Sequence, residues 1–389
     1  MTIARGTGSR ALRTVQVSFH VDARQRDGES LLDAWPTLPN VASAVARAGA
    51  EVTVVQAAAT RQTITRDDVT YRFVDDARGM PARAYGVIPL VRRPSRIIAD
   101  VIALAPDIVH VHGLSFPVAV WHLTRALPNV PVLVQDHASR PPRGVRRAAW
   151  RAAYRDLAAV SFTTRAHAEP FFAARALSTA LPVFEVLEGS STFTPGEQAA
   201  AQRDTGMYGD PCVLWAAHLD ENKDPLVALE AFRLAAPSLP DARLWCCFRS
   251  APLLREVDRA IADSPLLRER VTLLDALPHA DMEEHFRAAD LFVHASHRES
   301  CGYALIEALS CGTPVIATDL PSTRRIVGEC GTLVPVGDAA AMAETLGGWT
   351  GDHAGQRRGE ARRRFEETLS FDRIGSSLVA VYDELVARR

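Results

Sequence analysis

Leu291-Phe292-Val293-His294-Ala295-Ser296-His297-Arg298-Glu299-Ser300-Cys301-Gly302-Tyr303-Ala304-Leu305-Ile306-Glu307-Ala308-Leu309-Ser310-Cys311-Gly312-Thr313-Pro314-Val315-Ile316-Ala317 reads as strand, turn, helix, turn and strand. The run 291–295 is short and nearly all apolar, as a strand buried on both faces of a parallel sheet should be. Gly302 lets the backbone approach a ligand closely. A helix starting near Tyr303 points unpaired N–H groups into the turn, and Gly312 with Pro314 ends that helix before the next strand. Glu299 falls in the turn and Glu307 about two helical turns further on. The spacing of the two acids is weak by itself; their place around a strand-to-helix turn gives it weight.

The same alternation extends outward in both directions. Apolar runs at 15–21, 51–55, 107–112, 130–135, 158–163 and 182–187 form one series. Runs at 212–217, 244–248, 271–274, 291–295, 315–318 and 333–336 form a second. Helical patterns separate most of them, for example 41–48, 225–235, 304–310 and 339–346. Alternating strand and helix implies α/β architecture with parallel sheets. Only 15–21 alternates, with Gln16, Ser18 and His20 between apolar residues, so one of its faces is expected to meet polar surroundings. At 389 residues the chain is too long for one comfortable core. The stretch 188–210 is rich in Gly, Ser, Thr, Pro and Gln and marks a seam. The expectation is two doubly wound, Rossmann-like domains facing across a cleft, 1–188 and 189–370, with a closing helix at 371–389. Ligands of such sheets bind beyond the carboxyl ends of strands, which points to the residues after His112, Gln135, Ala217, Leu274 and Ala295.

Composition narrows the function. A net charge of −2 offers no basic field for nucleic acid. No window is apolar enough to span a bilayer, and Met1 to Arg13 lacks a signal-peptide core. The six cysteines form no Cys-x-x-Cys pair and read as reduced thiols of a cytoplasmic protein. Of 44 Lys+Arg residues only Lys223 is lysine. It lies in His218-Leu219-Asp220-Glu221-Asn222-Lys223-Asp224-Pro225, between a strand and a helix start. A compact ammonium beside a helix N-terminus suits phosphate; the bland alternative is a surface lysine before an Asp224 cap with Pro225 at the first helical position.

The stretch 290–336 resembles the retaining glycosyltransferases of the GT-B fold, in the large family 4-like group that includes bacterial mannosyl- and glucosyltransferases. Glu299, Cys301, Gly302, Glu307, Gly312, Pro314 and Val315 fill its motif places. Trp215-Ala216-Ala217-His218-Leu219 with Lys223-Asp224-Pro225 resembles the family's Gly-Arg-Leu…Lys segment. Phe286–Asp290 and Asp107–Gly113 match other strand ends of the pattern. The resemblance implies a nucleotide-diphosphate sugar held mainly by the second domain and no separate cofactor. Lys223 would pair with the diphosphate, with N–H groups near Gly302 and Tyr303 adding to it. Glu299 would hold hydroxyls of the sugar, Glu307 the ribose hydroxyls, and backbone around Leu277 and His279 would face the base. His137, after Gln135-Asp136, falls where the family places a histidine near the sugar; a packed strand-end histidine is the alternative. Lys223, Glu299 and His137 are thus the implied catalytic set, and His218, Leu277, Cys301, Gly302, Tyr303 and Glu307 complete the donor site.

The implied transfer needs no enzymic base, because the departing phosphate can take the acceptor's proton. No Asp-x-Asp pair occurs, which argues against a metal-bridged diphosphate. Two departures stand out: His218 replaces a family arginine, and the loop Asp22-Ala23-Arg24-Gln25-Arg26-Asp27-Gly28 has one glycine where the family has several. They leave open a catalytically silent sugar-nucleotide-binding protein; an epimerase or phosphorylase on a similar scaffold is a third reading. The expected partners are a sugar nucleotide and a glycan, glycolipid or small-molecule acceptor. His110 and His112, on one strand face, read as structural, with metal ligation as the alternative. Arg143, Arg147, Arg151 and Arg155 recur every four residues. They read as a solvated helix face, or as a contact with a phosphate-bearing acceptor or with anionic lipid at the inner membrane face.

Overall fold

A computed structural model describes residues 10–388 apart from Ala23, Gln25, residues 78–93 and Asp275. Residues 1–9 of the leader reading, and Ala23 and Gln25 of the glycine-poor loop, lie outside the described residues. The chain separates into two compact units, Met1–Gly189 with Phe371–Arg389, and Ser190–Ser370.

Among the described residues, the first unit contains β1 (Arg13–Ser18), β2 (Glu51–Ala57), β3 (Gln62–Arg66), β4 (Val69–Val74), β5 (Ile108–His112), β6 (Val132–Gln135), β7 (Ala159–Phe162) and β8 (Val183–Glu185). Their sheet order is β3-β4-β2-β1-β5-β6-β7-β8. Every pairing is parallel except β3 with β4. That hairpin has no counterpart in the sequence reading. Its turn is Asp67-Asp68, both left-handed at φ 51° and 61°, a primed turn written without the usual glycine.

β1 has on one face the polar surroundings that its alternation implied. Its polar residues do not meet solvent: Gln16 is fully buried and Ser18 nearly so. The register sets Gln16 beside His110 and Ser18 beside His112 on β5. The alternation therefore records a polar layer inside the unit.

The second unit contains β9 (Cys212–Ala216), β10 (Arg243–Cys247), β11 (Val271–Leu274), β12 (Leu291–His294), β13 (Val315–Thr318) and β14 (Thr332–Val334). All pairings are parallel, in the order β11-β10-β9-β12-β13-β14. Counted along the chain this is 3-2-1-4-5-6, the doubly wound order whose direction reverses between the first and fourth strands. The expected α/β fold class of two Rossmann-like units is therefore present. Val213, Trp215, Phe232, Leu244 and Val293 anchor the core of this unit. The seam is shorter than its composition suggested: within it, helix Gln198–Thr205 is capped by Glu197, and Gln198 bonds Asp290 Oδ1 at 2.7 Å.

Helix Phe371–Ala387 belongs to the first unit and packs on helix Thr37–Arg47. The approach is close enough that a Cβ on Gly375 would stand 2.2 Å from the Ala44 carbonyl oxygen. Arg47 and Asp372 close the contact at 2.7 Å. Gly375→Ala is therefore expected to lower the melting temperature. Backbone displacement costs about 1–3 kcal/mol, against at most about 1 kcal/mol regained in helix propensity. Unchanged thermal unfolding would contradict this packing.

Candidate active site

The ladder between β9 and β12 ends at Leu214 and Phe292, two residues short of the strand ends at Ala216 and His294. The two following loops therefore diverge from the sheet at the point where its order reverses. They are then tied to each other. His297 N donates to Asn222 O at 2.7 Å, and Asn222 Nδ2 donates to Arg298 O at 3.0 Å. Thr318 and Ser322 hydroxyls hold the carbonyls of Ser296 and Glu299 at 2.7 and 2.8 Å. On the other loop, Lys223 N donates to Asp220 Oδ1 at 2.9 Å. Asp224 stands in the left-handed region (φ 44°), caps helix Pro225–Ala235 through Val227 N, and accepts from His297 Nε2 at 2.6 Å.

These clamps bring Lys223 Nζ to 2.5 Å from Glu299 Oε2. Both side chains are largely buried, 22% and 12% exposed, so each charge depends on the other for its solvation. His294, at the end of β12, adds a ring N–H to the same carboxylate oxygen at 3.2 Å and also contacts Ser296 Oγ at 3.0 Å. Burial pushes the Glu299 carboxyl up, but the His294 hydrogen bond and the Lys223 charge outweigh it and hold the pKa at about 2. Burial also pushes the His294 imidazole down, toward the neutral form.

An open pocket of about 280 Å3 surrounds the pair. His218, Lys223, Leu277, Glu299, Tyr303 and Glu307 all line it. Cys301 and Gly302 do not. Cys301 is fully buried, and Gly302 shapes the turn. It is left-handed at φ 65°, and a Cβ there would lie 3.1 Å from Ile326 Cδ1 and 3.4 Å from Glu299 Cγ. Glu307 accepts from His279 Nε2 at 2.6 Å. That bond raises the His279 pKa against burial, and the Phe193 ring stacks on the imidazole with centroids 5.1 Å apart.

His137 lies in the first unit, within a buried polar line. Gln16 Oε1 is 3.0 Å from His112 Nε2, His112 Nδ1 is 3.2 Å from His137 Nε2, and His137 Nδ1 is 3.3 Å from Glu188 Oε2. Burial pushes His112 far down and His137 to about 4, so both rings are neutral near neutrality. With one proton per ring and a carboxylate at one end, His137 presents its N–H to Glu188 and His112 donates to His137, which leaves His112 Nε2 an acceptor and requires the Gln16 amide to turn its otherwise unpartnered NH2 group toward it. Both nitrogens of His137 are thereby engaged within its own unit. His110 Nδ1 meets the hydroxyl of Tyr382, from the closing helix, at 2.6 Å. Among the described residues no three His, Cys, Asp or Glu side chains group as metal ligands. The arginine stripe is shorter than its spacing suggested: helix Arg146–Ala153 carries Arg147 and Arg151, while Arg143 precedes it and Arg155 follows in a turn.

Comparison with known proteins falls on both units. The family model described as glycosyl transferases group 1 matches residues 210–351, and that described as Glycosyltransferase Family 4 matches residues 37–173. The chain belongs to the family 4-like GT-B glycosyltransferases.

Similar curated proteins include two bearing the name D-inositol 3-phosphate glycosyltransferase. One, from Mycobacterium sp. (strain JLS), is 38% identical over 161 residues, 40% of this chain and 36% of that protein. One from Geodermatophilus obscurus is 35% identical over 209 residues, 49% of this chain and 44% of that protein. The match thus spans less than half the length of these relatives. Sucrose-phosphate synthase from Thermosynechococcus elongatus shares the fold at TM-score 0.69 and 19% identity, over 97% of this chain and 100% of that one. Anabaena Alr3699/HepE, in complex with UDP and glucose, does so at 0.64 and 15%, over 96% and 99%.

In this family member the sequence reading located the charged pair but missed what positions it. Asn222 adjoins the only lysine and His294 ends an otherwise apolar strand. Either irregularity could have flagged a polar role. The pairing of the His279 side chain with Glu307 carried no such signal.

Glu299 sets a pH dependence. Its folded pKa lies below the ordinary 4.5, so the stability it adds is present above that value and is lost as pH falls toward 2. A drop of that size corresponds to roughly 3 kcal/mol. The Glu299→Gln variant should therefore lose stability relative to wild type near pH 7, with the gap narrowing between pH 5 and 2 in urea unfolding. A gap independent of pH would contradict the pairing.

Proposed function

We propose that the chain is a retaining glycosyltransferase that moves a sugar from a nucleotide-diphosphate donor to an acceptor hydroxyl, without a metal bridging the diphosphate. The observation that carries this reading is the Lys223–Glu299 contact at the order reversal of the second sheet. A doubly wound sheet binds nucleotide at that point. The family membership supports the reaction class, and the UDP and glucose of the Anabaena neighbour support the donor class.

On this reading donor binding exchanges the internal pairs for ligand contacts. Lys223 turns from Glu299 to the diphosphate, and Glu299 takes hydroxyls of the transferred sugar. Glu307 turns from His279 to the ribose, backbone near Gly302 and Tyr303 adds N–H groups, and the Leu277 side of the pocket faces the base. The bond from anomeric carbon to diphosphate oxygen breaks and leaves negative charge on the diphosphate, which Lys223 stabilises where it forms. The acceptor oxygen bonds to the same face of that carbon, and its proton passes to the departing phosphate oxygen. His137 is free to hydrogen-bond a ligand only if one of its internal contacts opens. A cytoplasmic location, with the exposed arginines at 143, 147, 151 and 155 against anionic lipid, completes the proposal.

Lys223→Ala and Glu299→Ala should each lower turnover by about 100-fold or more while the protein stays folded; wild-type rates in both would remove the site assignment. The assay uses uridine, guanosine and adenosine diphosphate sugars first ranked by thermal shift. Binding without hydrolysis or transfer would identify a silent binding protein instead. Co-sedimentation with anionic vesicles at low salt tests the lipid contact, and absence of binding would discard it.

A further inference from the structure

The charged groups lining the second-unit pocket are mostly satisfied by one another: Lys223 by Glu299, and Glu307 by His279. Arg249 differs. It lines the same pocket, is exposed, and has no acidic partner among the described residues. It sits on the loop after β10, and that loop is bonded directly to the loop after β9. Ala217 N donates to Cys247 O at 3.1 Å, Leu219 N to Ser250 O at 2.8 Å, and Leu253 N to Leu219 O at 2.9 Å. These bonds set His218 and Arg249 on adjacent loop positions, and both face the pocket. An imidazole is only partly charged near neutrality, whereas a guanidinium is always charged and presents a fork of donors matched to phosphate oxygens.

We propose that Arg249 binds the donor's diphosphate, as the permanent positive charge beside His218 that complements Lys223. The proposal rests on the nucleotide-diphosphate reading of the pocket and extends it to a residue outside the motifs that suggested that reading. Arg249 reaches the pocket from β10, next to β9, while Lys223 reaches it from the loop after β9 on the side of β12. The diphosphate would then be held between two cations. Glu299 and Glu307 are left to the hydroxyl-bearing parts of the ligand.

The test measures binding of UDP, GDP and ADP, and of the matching nucleosides, to wild type, Arg249→Ala and the double variant Arg249→Ala with His218→Arg. For the diphosphate that wild type prefers, Arg249→Ala should weaken binding about tenfold or more, with the nucleoside affected less than about twofold. His218→Arg, which places a guanidinium on the adjacent loop, should restore most of the loss. Three results would overturn the proposal: diphosphate binding unchanged in Arg249→Ala, an equal loss for nucleoside and diphosphate (a base contact), or no recovery in the double variant. Failure of wild type to bind any of the three diphosphates would instead remove the underlying reading of the pocket, and Arg249's assignment with it.

Discussion

The second unit is organised around one ion pair. Lys223 and Glu299 come from loops that follow the two strands between which the sheet reverses its order, and neither side chain has enough solvent to carry its charge alone. A largely buried charge that loses its partner is strongly destabilising, so the loops must meet. Asn222 makes them meet through its backbone carbonyl and its side-chain amide. The hydroxyls of Thr318 and Ser322 fix the far side of the Glu299 loop. The two loops are thus held together by groups outside the ion pair itself, and Lys223 and Glu299 are paired with each other.

Much of the fold was legible because buried parallel strands leave a coarse signature. Each of the twelve apolar runs overlaps a strand, and helix Pro225–Ala235 begins at its proline after an aspartate cap. The failures have physical reasons. The β3–β4 hairpin turns at Asp67-Asp68, where two aspartates adopt the left-handed conformation that glycine or asparagine usually signals. The alternation of β1 announced polar surroundings without saying whether these were solvent, and Gln16 is buried against His112. A one-dimensional pattern cannot distinguish a polar residue facing water from one facing an internal hydrogen-bond partner. The polar stretch before β9 folds a helix because Gln198 and Gln202 have partners to bond at Ala288 and Asp290.

The candidate site divides in the same way. Lys223, Glu299 and Glu307 were legible because a unique lysine and motif-placed acids stand out locally. The His294 contact to Glu299 and the side-chain pairing of His279 with Glu307 were not, because they arise from strand order: each residue follows or ends a strand whose neighbour is set by tertiary structure. Cys301 shows the converse, a motif position whose side chain is fully buried and does not line the pocket. His110 and His112 were read as structural and His137 as lying near the sugar; the structure links His137 to His112 and Glu188 in one buried polar line.

Because the chain holds a single lysine, its side chain can be observed alone. Labelling lysine with 13C at Cε gives one signal, from the group on which the account turns. Titrating the protein with the nucleotide-diphosphate sugar it binds best should shift that signal saturably, at the concentration that saturates thermal stabilisation, as the ammonium leaves Glu299 for phosphate. A lysine signal that stays fixed while the donor binds elsewhere would contradict the central claim.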